Sequence, residues 1–281
     1  MAKRQIDPNK PKIKLPIGHS YINVKNVVHK NNLHTICESG NCPNIHECWG
    51  AGTATFLILG DICTRSCRFC SVKTGKPNTP DINEPKKIAE SVKLMKLKHC
   101  VITSVDRDDL KDGGSQIWAD TITEIKKLNP NTTIETLIPD FKGDFKLLQT
   151  VIDAKPDVIS HNLETVKRLT KQIRVQAKYD RSLSVLKYIA SNGITAKSGI
   201  MLGLGETHEE ILQTMNDLLT NNVSIITIGQ YLQPTSNNIP VQKYYSEQEF
   251  NTLKNIGKEK GFKFIESSSL VRSSYHAEKH V

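Results

Sequence analysis

The sequence predicts an α/β fold: a partial, open barrel of six parallel strands. Strand-like and helix-like segments alternate with a spacing of roughly 25 to 35 residues, which is typical of βαβ units. Six such repeats occur, whereas a closed barrel of this kind has eight. A chain of 281 residues can bury a barrel-sized core without disulfide bonds.

Each predicted strand is a short apolar run, and amphipathic stretches lie between the strands. The strands are expected at residues 55–59, 100–105, 133–138, 157–160, 194–202 and 224–231. The helices are expected at residues 85–97, 116–128, 144–153, 180–191, 208–221 and 247–260. Pro85 suits a first helical turn, where a missing N–H costs little. The barrel is therefore expected at 51–265, with an N-terminal extension at 1–50 and a polar tail at 266–281.

Cysteine usage predicts metal ligands in a reducing compartment. The chain has seven cysteines, an odd number, and no secretory segment, which argues against a disulfide framework. Its first 35 residues contain no apolar signal region and one arginine, so no transit peptide is evident. No stretch is apolar enough to cross a bilayer. The simplest expectation is a bacterial cytoplasm, with no membrane contact.

The formal net charge of +9 favours an acidic partner, because the summed field speeds encounter with opposite charge. It does not choose among a nucleic acid, an acidic protein and an anionic cofactor. A lysine-coated surface with no such partner explains the charge equally well, since lysine is spread along the whole chain.

Six of the cysteines form two triplets, each one thiolate short of the four that a four-iron cluster binds. The first triplet, CX4CX5C, is Cys37, Cys42 and Cys48, and the second, CX3CX2C, is Cys63, Cys67 and Cys70. With three thiolates, one iron keeps a position for another ligand. Chemistry can begin at that position.

The second triplet follows the first predicted strand, at the barrel end where such folds place their chemistry. Its spacing resembles that of the radical S-adenosylmethionine (SAM) superfamily. The resemblance implies a barrel of radical SAM type and a 4Fe-4S cluster whose open iron binds S-adenosylmethionine. One electron from that cluster then yields a 5′-deoxyadenosyl radical. A zinc loop is the alternative, although zinc sites usually use two separated pairs of ligands.

The first triplet, the stretch 101–110 and the Arg-Ser-Ser-Tyr motif at 272–275 are similar to the lipoyl synthase family, from about residue 11 to residue 277. The resemblance implies a second, auxiliary 4Fe-4S cluster on the first triplet, consumed as the sulfur source. Its fourth ligand would be a serine, Ser274, with Ser273 as the alternative. Cys100 is interpreted as a buried small hydrophobe. Without the resemblance, 272–276 would be a solvated tail.

The same resemblance implies further contacts with S-adenosylmethionine. Asn162 and Glu164 would help to hold it, and a glycine-rich turn with Gly203 and Gly205 would pack against its adenine. Arg181 would meet a carboxylate or a ribose. The alternatives are a helix cap for the first pair, a tight βα turn for the glycines and an exposed helix residue for the arginine. The charged run at 106–109 either orients a cofactor or substrate, or is a wet loop.

The activity that the resemblance implies is insertion of two sulfur atoms at C6 and C8 of a protein-bound octanoyl group. The partners would be octanoylated lipoyl-carrier domains, namely 2-oxoacid dehydrogenase E2 subunits and the glycine cleavage H protein. A flavodoxin- or ferredoxin-type reductant and an iron-sulfur cluster carrier would also be needed, but no nucleic acid.

Two rival functions remain open at this stage. A tRNA methylthiotransferase also pairs a radical cluster with a second cluster, and it predicts salt-dependent RNA binding. A ferredoxin-like electron carrier would show redox activity without cleaving S-adenosylmethionine. Two departures from the family pattern occur, Ser268-Ser269 in place of Gly-Pro, and Asn237-Asn238 in place of a basic pair. Neither changes a predicted cluster ligand.

Overall fold

The computed structural model describes residues 7–11, 19–30, 33–40, 42–50 and 55–280. Its main sheet has eight strands in the order β1-β2-β5-β6-β7-β8-β9-β10. These strands are His34–Thr35, Thr55–Ile58, His99–Ser104, Thr133–Leu137, Val158–Ser160, Thr195–Leu202, Ile225–Gln230 and Phe264–Ser268, in that order. A separate two-stranded sheet pairs β3 (Ile62–Cys63) with β4 (Lys73–Thr74).

The predicted open parallel barrel is confirmed. Strand β1 is antiparallel to β2, and all other neighbours in the main sheet are parallel. Within the described ranges β10 does not pair with β1, so the sheet does not close. All six predicted strands are present, and β10 adds a seventh parallel strand.

Strand β10 lies partly in the segment that was predicted as a polar tail. Its burial alternates along Phe264–Ser268, and Ser267 faces inward. The Ser267 hydroxyl donates to the Phe250 carbonyl at 2.8 Å. An edge strand whose inward positions include a hydrogen-bonded serine lacks the apolar run by which strands are recognised.

Ten α-helices are described, and the six predicted ones are among them. Helices α1 to α5 are His19–Lys30, Ile36–Ser39, Ile45–Gly50, Glu84–Leu94 and Ser115–Leu128. Helices α6 to α10 are Phe145–Asp153, Lys167–Ile173, Tyr179–Ser191, His208–Thr220 and Glu247–Lys260. Short 3₁₀ helices occupy Phe141–Gly143 and Ala277–Lys279. Of the helices in these ranges, none combines the length and apolar character needed to cross a membrane.

Local chemistry fixes the starts of several helices. Helix α9 begins at a capping box, in which the Thr207 hydroxyl accepts from the Glu210 N–H while the Glu210 carboxylate accepts from the Thr207 N–H. Ser246 and Glu249 repeat the arrangement at α10. Pro85 lies in the first turn of α4, as predicted.

Residues 270–277 pack between the N-terminal extension and the barrel. Asn44 donates its side-chain amide to the Leu270 carbonyl at 2.6 Å. The Tyr275 hydroxyl donates to Glu47 at 3.2 Å. Val271 and Ala277 are buried. The alternative interpretation of 272–276 as a solvated tail is therefore wrong.

Candidate active site

A cavity of about 550 Å³ lies at the carboxyl ends of the barrel strands. The second triplet lines it, together with residues that end or follow β5 to β9. Ile36, Gly40 and Pro43, which flank the first triplet, line it from the extension, and Arg272 and Ser273 line it from the tail. Three separate parts of the chain therefore meet at one space.

Backbone N–H groups point at sulfur atoms of the second triplet. Cys63 Sγ accepts from the Arg65 N–H at 3.4 Å and from the Asp106 N–H at 3.3 Å. Cys70 Sγ accepts from the Val72 N–H at 3.4 Å. Such hydrogen bonds stabilise thiolate charge and are one of the means by which a protein sets the potential of an iron-sulfur cluster.

The three thiols of the second triplet lie close enough to interact electrostatically. Burial raises the pKa of Cys67 to about 12, and Cys70 contributes to that rise. Burial also raises the pKa of Cys70 to about 11, with a contribution from Cys63. Without metal the thiols are therefore protonated at neutral pH, and metal binding must displace these protons.

A four-iron cluster fits this donor set better than the zinc alternative. In the described part of the chain, no three histidine, cysteine or carboxylate side chains are placed to hold a single metal ion. A four-iron cluster binds each cysteine at a different iron, so its thiols lie near one another without converging on one point. The second triplet meets that requirement, because its three thiols interact with one another and two of them accept hydrogen bonds from backbone N–H groups.

The charged run at 106–109 braces the loop of the second triplet and is not a wet loop. Arg65 donates to both oxygens of Asp108, at 2.7 and 2.9 Å, and to Asp140 at 2.8 Å. Arg107 is buried and donates to the Leu59 carbonyl at 3.1 Å. These bonds tie the end of β2 to the ends of β5 and β6.

Two carboxylates around Arg65 have opposite pKa shifts. Burial would raise the pKa of Asp140, but the Arg65 guanidinium and its hydrogen bond lower it to about 2. Burial raises the pKa of Asp106 to about 6 although Arg65 opposes the rise. Asp106 lines the cavity, with Oδ2 3.9 Å from Cys63 Sγ. Arg65 thus keeps Asp140 charged in a site with little water.

Asn162 and Glu164 both line the cavity, on the loop that follows β7. Glu164 has a positive φ of 64°, held by its N–H bond to the Gly199 carbonyl and by the Met201 N–H at its own carbonyl, both 2.9 Å. The Asn162 amide donates to Glu164 Oε1 at 3.1 Å and to the Ser273 hydroxyl at 3.2 Å. Burial raises the pKa of Glu164. This pair therefore joins the barrel to the tail inside the cavity.

Gly203, Gly205 and Arg181 are not among the residues that line the cavity. Arg181 lies behind the lining, where it forms a 2.8 Å ion pair with Asp140. Gly203 packs against the Gln230 side chain, so that a Cβ there would collide with it. Their predicted contacts with S-adenosylmethionine stay predictions.

Gly199, on strand β8, does line the cavity. A Cβ at this position would lie 2.6 Å from the Thr227 hydroxyl and 3.0 Å from Asn162 Oδ1. Contacts this short exclude a side chain, so the position keeps the backbone open to the cavity.

Arg174 and His161 line the cavity although the sequence did not single them out. Arg174 is 7% exposed and donates to the Leu163 carbonyl and to the Ser182 hydroxyl, both at 3.2 Å. Its charge opposes the effect of burial on the pKa of Cys67, Asp106 and Glu164. Arg174 directly follows α7, a helix that was not predicted, so no pattern pointed to it.

His161 is neutral at physiological pH. Its Nδ1 lies 2.9 Å from the Ile138 carbonyl, which only accepts, so Nδ1 carries the proton. Nε2 then accepts from the Ser182 hydroxyl at 2.9 Å. Burial, and to a smaller extent the positive charge of Arg174, lower the pKa of His161 from 6.5 to about 4.

This shift predicts a pH dependence of stability. Between pH 6.5 and about 4 the unfolded chain binds a proton on His161 and the folded chain does not. The free energy of unfolding therefore falls with falling pH in this window, by up to about 3 kcal/mol from this group. We expect His161→Gln to make that fall shallower in urea titrations of the metal-free protein. Parallel curves for the two proteins would contradict the assignment.

The first triplet is formed by α2, α3 and the turn between them. The Thr35 side chain caps α2, which carries Cys37, by accepting from the Glu38 N–H at 3.3 Å. The Cys42 N–H donates to the Cys37 carbonyl at 3.0 Å. Cys48 lies on α3. Two short helices in succession thus bring cysteines of wide sequence spacing together.

The thiols of the first triplet also interact. Burial raises the pKa of Cys37 to about 11, with a contribution from Cys42. Burial, together with Cys37 and Cys42, raises the pKa of Cys48 to about 12. Trp49 is fully buried and hydrogen-bonds with the Cys37 thiol, which lowers the pKa of that thiol slightly. The site holds three neutral thiols until metal displaces their protons.

The tail reaches the first triplet. Arg272 is near enough to lower the pKa of Cys42 against the larger effect of burial. Burial raises the pKa of Tyr275 to about 12, and Glu47 and Cys48 add to the rise. Ser274 lies between these two residues in the sequence. The Ser273 hydroxyl instead accepts from Asn162.

Comparison with known proteins identifies the family. The model of the radical SAM superfamily matches residues 57–218. A mitochondrial lipoyl synthase of Nematostella vectensis is 59% identical, over 99% of this chain and 96% of its own. Lipoyl synthases of Flavobacterium johnsoniae and Bacteroides thetaiotaomicron are 58% and 57% identical, over 98% and 100% of this chain and 97% and 100% of theirs. The chain belongs to the lipoyl synthase family.

Solved structures show the same fold at low identity. Methylornithine synthase has a TM-score of 0.58 and 14% identity over 71% of this chain and 61% of its own, less than two thirds of its length. The FeFe-hydrogenase maturase HydG of Carboxydothermus hydrogenoformans has a TM-score of 0.57 and 13% identity, over 92% and 76% of the two chains. These likenesses concern the fold alone.

Membership of the lipoyl synthase family supplies the cofactors. They are two 4Fe-4S clusters and S-adenosylmethionine. The first and second triplets are two separate sets of three thiols that interact with one another, which suits two clusters. The tRNA methylthiotransferase alternative is not favoured, because relatives that match nearly the whole chain are lipoyl synthases.

Proposed function

We propose that this chain inserts two sulfur atoms, at C6 and C8, into an octanoyl group attached to a carrier protein. One observation carries the proposal. One cavity is lined by the second triplet, by residues that flank the first triplet and by the tail. A substrate in this space would be within reach of both proposed metal sites.

The residues support a division of labour between the two triplets. Side-chain acids and bases move protons within a pKa range that is far too low for an alkane C–H bond. When bound, S-adenosylmethionine and a cluster on the second triplet supply a 5′-deoxyadenosyl radical, and a cluster on the first triplet supplies sulfur. The protein itself has to hold the octanoyl chain between the two and keep water out.

Named residues of the cavity suit these tasks. The half-buried Glu164 carboxylate matches an ammonium group, and the Arg174 guanidinium matches a carboxylate, so the pair suits the amino-acid end of S-adenosylmethionine. Leu57, Ile138 and Leu232 line the same cavity and offer apolar contact to an octanoyl chain.

Ser274 is proposed as the fourth ligand of the first triplet, because its neighbours Arg272 and Tyr275 both act on thiols of that triplet. A serine oxygen is a harder and weaker partner for iron than a thiolate, so it suits a cluster that must give up sulfur. We expect Ser274→Ala to keep 5′-deoxyadenosine formation and to lose most lipoyl product, measured by mass spectrometry. Ser273→Ala, which removes the alternative ligand, is compared in the same assay and should keep more lipoyl product than Ser274→Ala. An unchanged yield with Ser274→Ala would move the ligand role to Ser273 or Cys100.

The partners follow from the proposed reaction. Octanoylated lipoyl-carrier domains of 2-oxoacid dehydrogenase E2 subunits and of the glycine cleavage H protein present the substrate. A flavodoxin- or ferredoxin-type protein supplies electrons, and an iron-sulfur cluster carrier rebuilds the first site. We place the protein in the cytoplasm, because six ligand thiols must stay reduced.

Mass spectrometry tests the proposed function. The reconstituted protein is incubated without oxygen with an octanoylated carrier peptide, S-adenosylmethionine and dithionite. The expected product is heavier than the substrate by two sulfur atoms less two hydrogen atoms. No mass change, in a sample that still cleaves S-adenosylmethionine, would contradict sulfur insertion.

A further inference from the structure

The inside of the barrel contains a fully buried ion pair that the proposed reaction does not use. Lys197 of β8 and Glu135 of β6 are both 0% exposed. The Lys197 Nζ lies 2.8 Å from each carboxylate oxygen. The Ser160 hydroxyl also donates to Glu135 Oε1, at 2.8 Å. A buried ion pair of this kind is weak evidence for stability, so it invites another explanation.

The Lys197 ammonium has one proton left over, and the tail accepts it. An ammonium has three donors, of which two point to Glu135. The third points to His280 Nδ1 at 3.2 Å. In the part of the chain that the structure describes, no other group accepts from this nitrogen. Without His280 a charged donor would be left unsatisfied in a dry interior, which is costly.

His280 is well placed as an acceptor. It is 2% exposed, and its ring centroid lies 5.7 Å from that of Phe264. Burial and the neighbouring Lys197 lower its pKa to about 4, so the ring is neutral at physiological pH. The two preceding residues, Glu278 and Lys279, are exposed. The end of the tail thus inserts one side chain into the barrel.

The tail is fixed on both sides of its serines. Upstream, Asn44 holds the Leu270 carbonyl, and Gly229 leaves room for the Val271 carbonyl, which a side chain at 229 would strike. Downstream, the 3₁₀ helix Ala277–Lys279 packs against β5 and leads directly to His280. Residues 272–276 join these two attachments, and within them Ser273 contacts Asn162 and Tyr275 contacts Glu47.

We propose that Lys197 is the docking point of residues 277–280 and that His280 is a positioning residue, whose contact with Lys197 keeps Ser274 near the first triplet. The ligand role of Ser274 rests on the proposed function, whereas the docking contact does not. This explains why the barrel contains the buried ion pair. Lys197 has one N–H that Glu135 does not accept, and His280 accepts it when the tail is correctly placed.

Limited proteolysis tests the docking contact on the metal-free protein. We compare the wild type with His280→Leu, His280→Gln and, as an exposed control, Lys279→Ala. Trypsin cleavage after Arg272, followed by mass spectrometry, should be about tenfold faster in His280→Leu, because one charge-assisted hydrogen bond is lost. His280→Gln should cleave at nearly the wild-type rate since its amide oxygen accepts from Lys197. Equal rates for all four proteins would overturn the docking contact.

Iron analysis and Mössbauer spectroscopy test the positioning role on reconstituted samples. We expect His280→Leu to change the Mössbauer signal of the auxiliary cluster, because one iron loses its serine ligand while the three cysteines still hold the cluster, and to keep the bound iron and 5′-deoxyadenosine formation. His280→Gln should restore the wild-type spectrum. Faster tail cleavage with an unchanged auxiliary spectrum would overturn the positioning role. If the wild type makes no lipoyl product, the proposed function fails, yet the proteolysis rates still decide the docking contact.

Discussion

Replacing Cys63 with alanine is expected to abolish both 5′-deoxyadenosine and lipoyl product. Cys63 belongs to the second triplet. Its sulfur accepts hydrogen bonds from two backbone N–H groups and lies 3.9 Å from the Asp106 carboxyl. Loss of a mere outer contact of a metal site costs 10- to 100-fold, so loss of a ligand should cost more than about 100-fold. Chromatography of the nucleoside product after anaerobic reaction measures the effect.

Cys100→Ala is the matched control. Cys100 lies on β5, is fully buried, and burial strongly raises the pKa of its thiol. As a packing residue it should leave both products within about twofold of the wild type, since a small change in a core alters stability more than chemistry. Wild-type amounts of 5′-deoxyadenosine from Cys63→Ala would refute the radical role of the second triplet.

Replacing Cys37 with alanine is expected to separate the two steps. Cys37 lies on α2 in the extension, next to Ile36, which lines the cavity. The variant should still form 5′-deoxyadenosine, because the residues that hold S-adenosylmethionine are untouched. Lipoyl product should fall by more than about 100-fold, by the same reasoning about lost metal ligands. Both products are measured in one reaction mixture.

A variant of Cys48 serves as the comparison for Cys37. The two thiols interact, and they are carried by different helices. If both belong to one cluster, Cys37→Ala and Cys48→Ala should show the same pattern of retained cleavage and lost sulfur insertion. Undiminished lipoyl product from either variant would remove the sulfur-donor role from the first triplet.

The parts of the fold that the sequence predicted are those with regular patterns. The six predicted strands are mainly apolar and mostly buried, and 225–230 is buried at every position. Spacing also revealed the two triplets, since each is a local cluster of a rare residue. These signals are local, so they survive without knowledge of the tertiary structure.

The remaining features depend on contacts that are distant in sequence. From the sequence alone, Arg65 is expected at the surface. In the fold it is paired with Asp108 and Asp140, which follow two other strands. Arg174 follows a helix with no recognised pattern. The tail is polar, yet it packs against the rest of the protein because Asn44, Asn162 and Lys197 satisfy several of its polar groups. Polar residues that are buried in this way cannot be told from solvated ones by composition.

The source of the inserted sulfur is the central claim, and isotope labelling measures it directly. The protein is reconstituted with ³⁴S sulfide, freed of excess sulfide, and allowed one turnover with an octanoylated peptide and unlabelled S-adenosylmethionine. The account predicts lipoyl peptide in which both inserted atoms are ³⁴S, and no such label in product from Cys37→Ala. Lipoyl peptide with sulfur of natural isotopic abundance would contradict it.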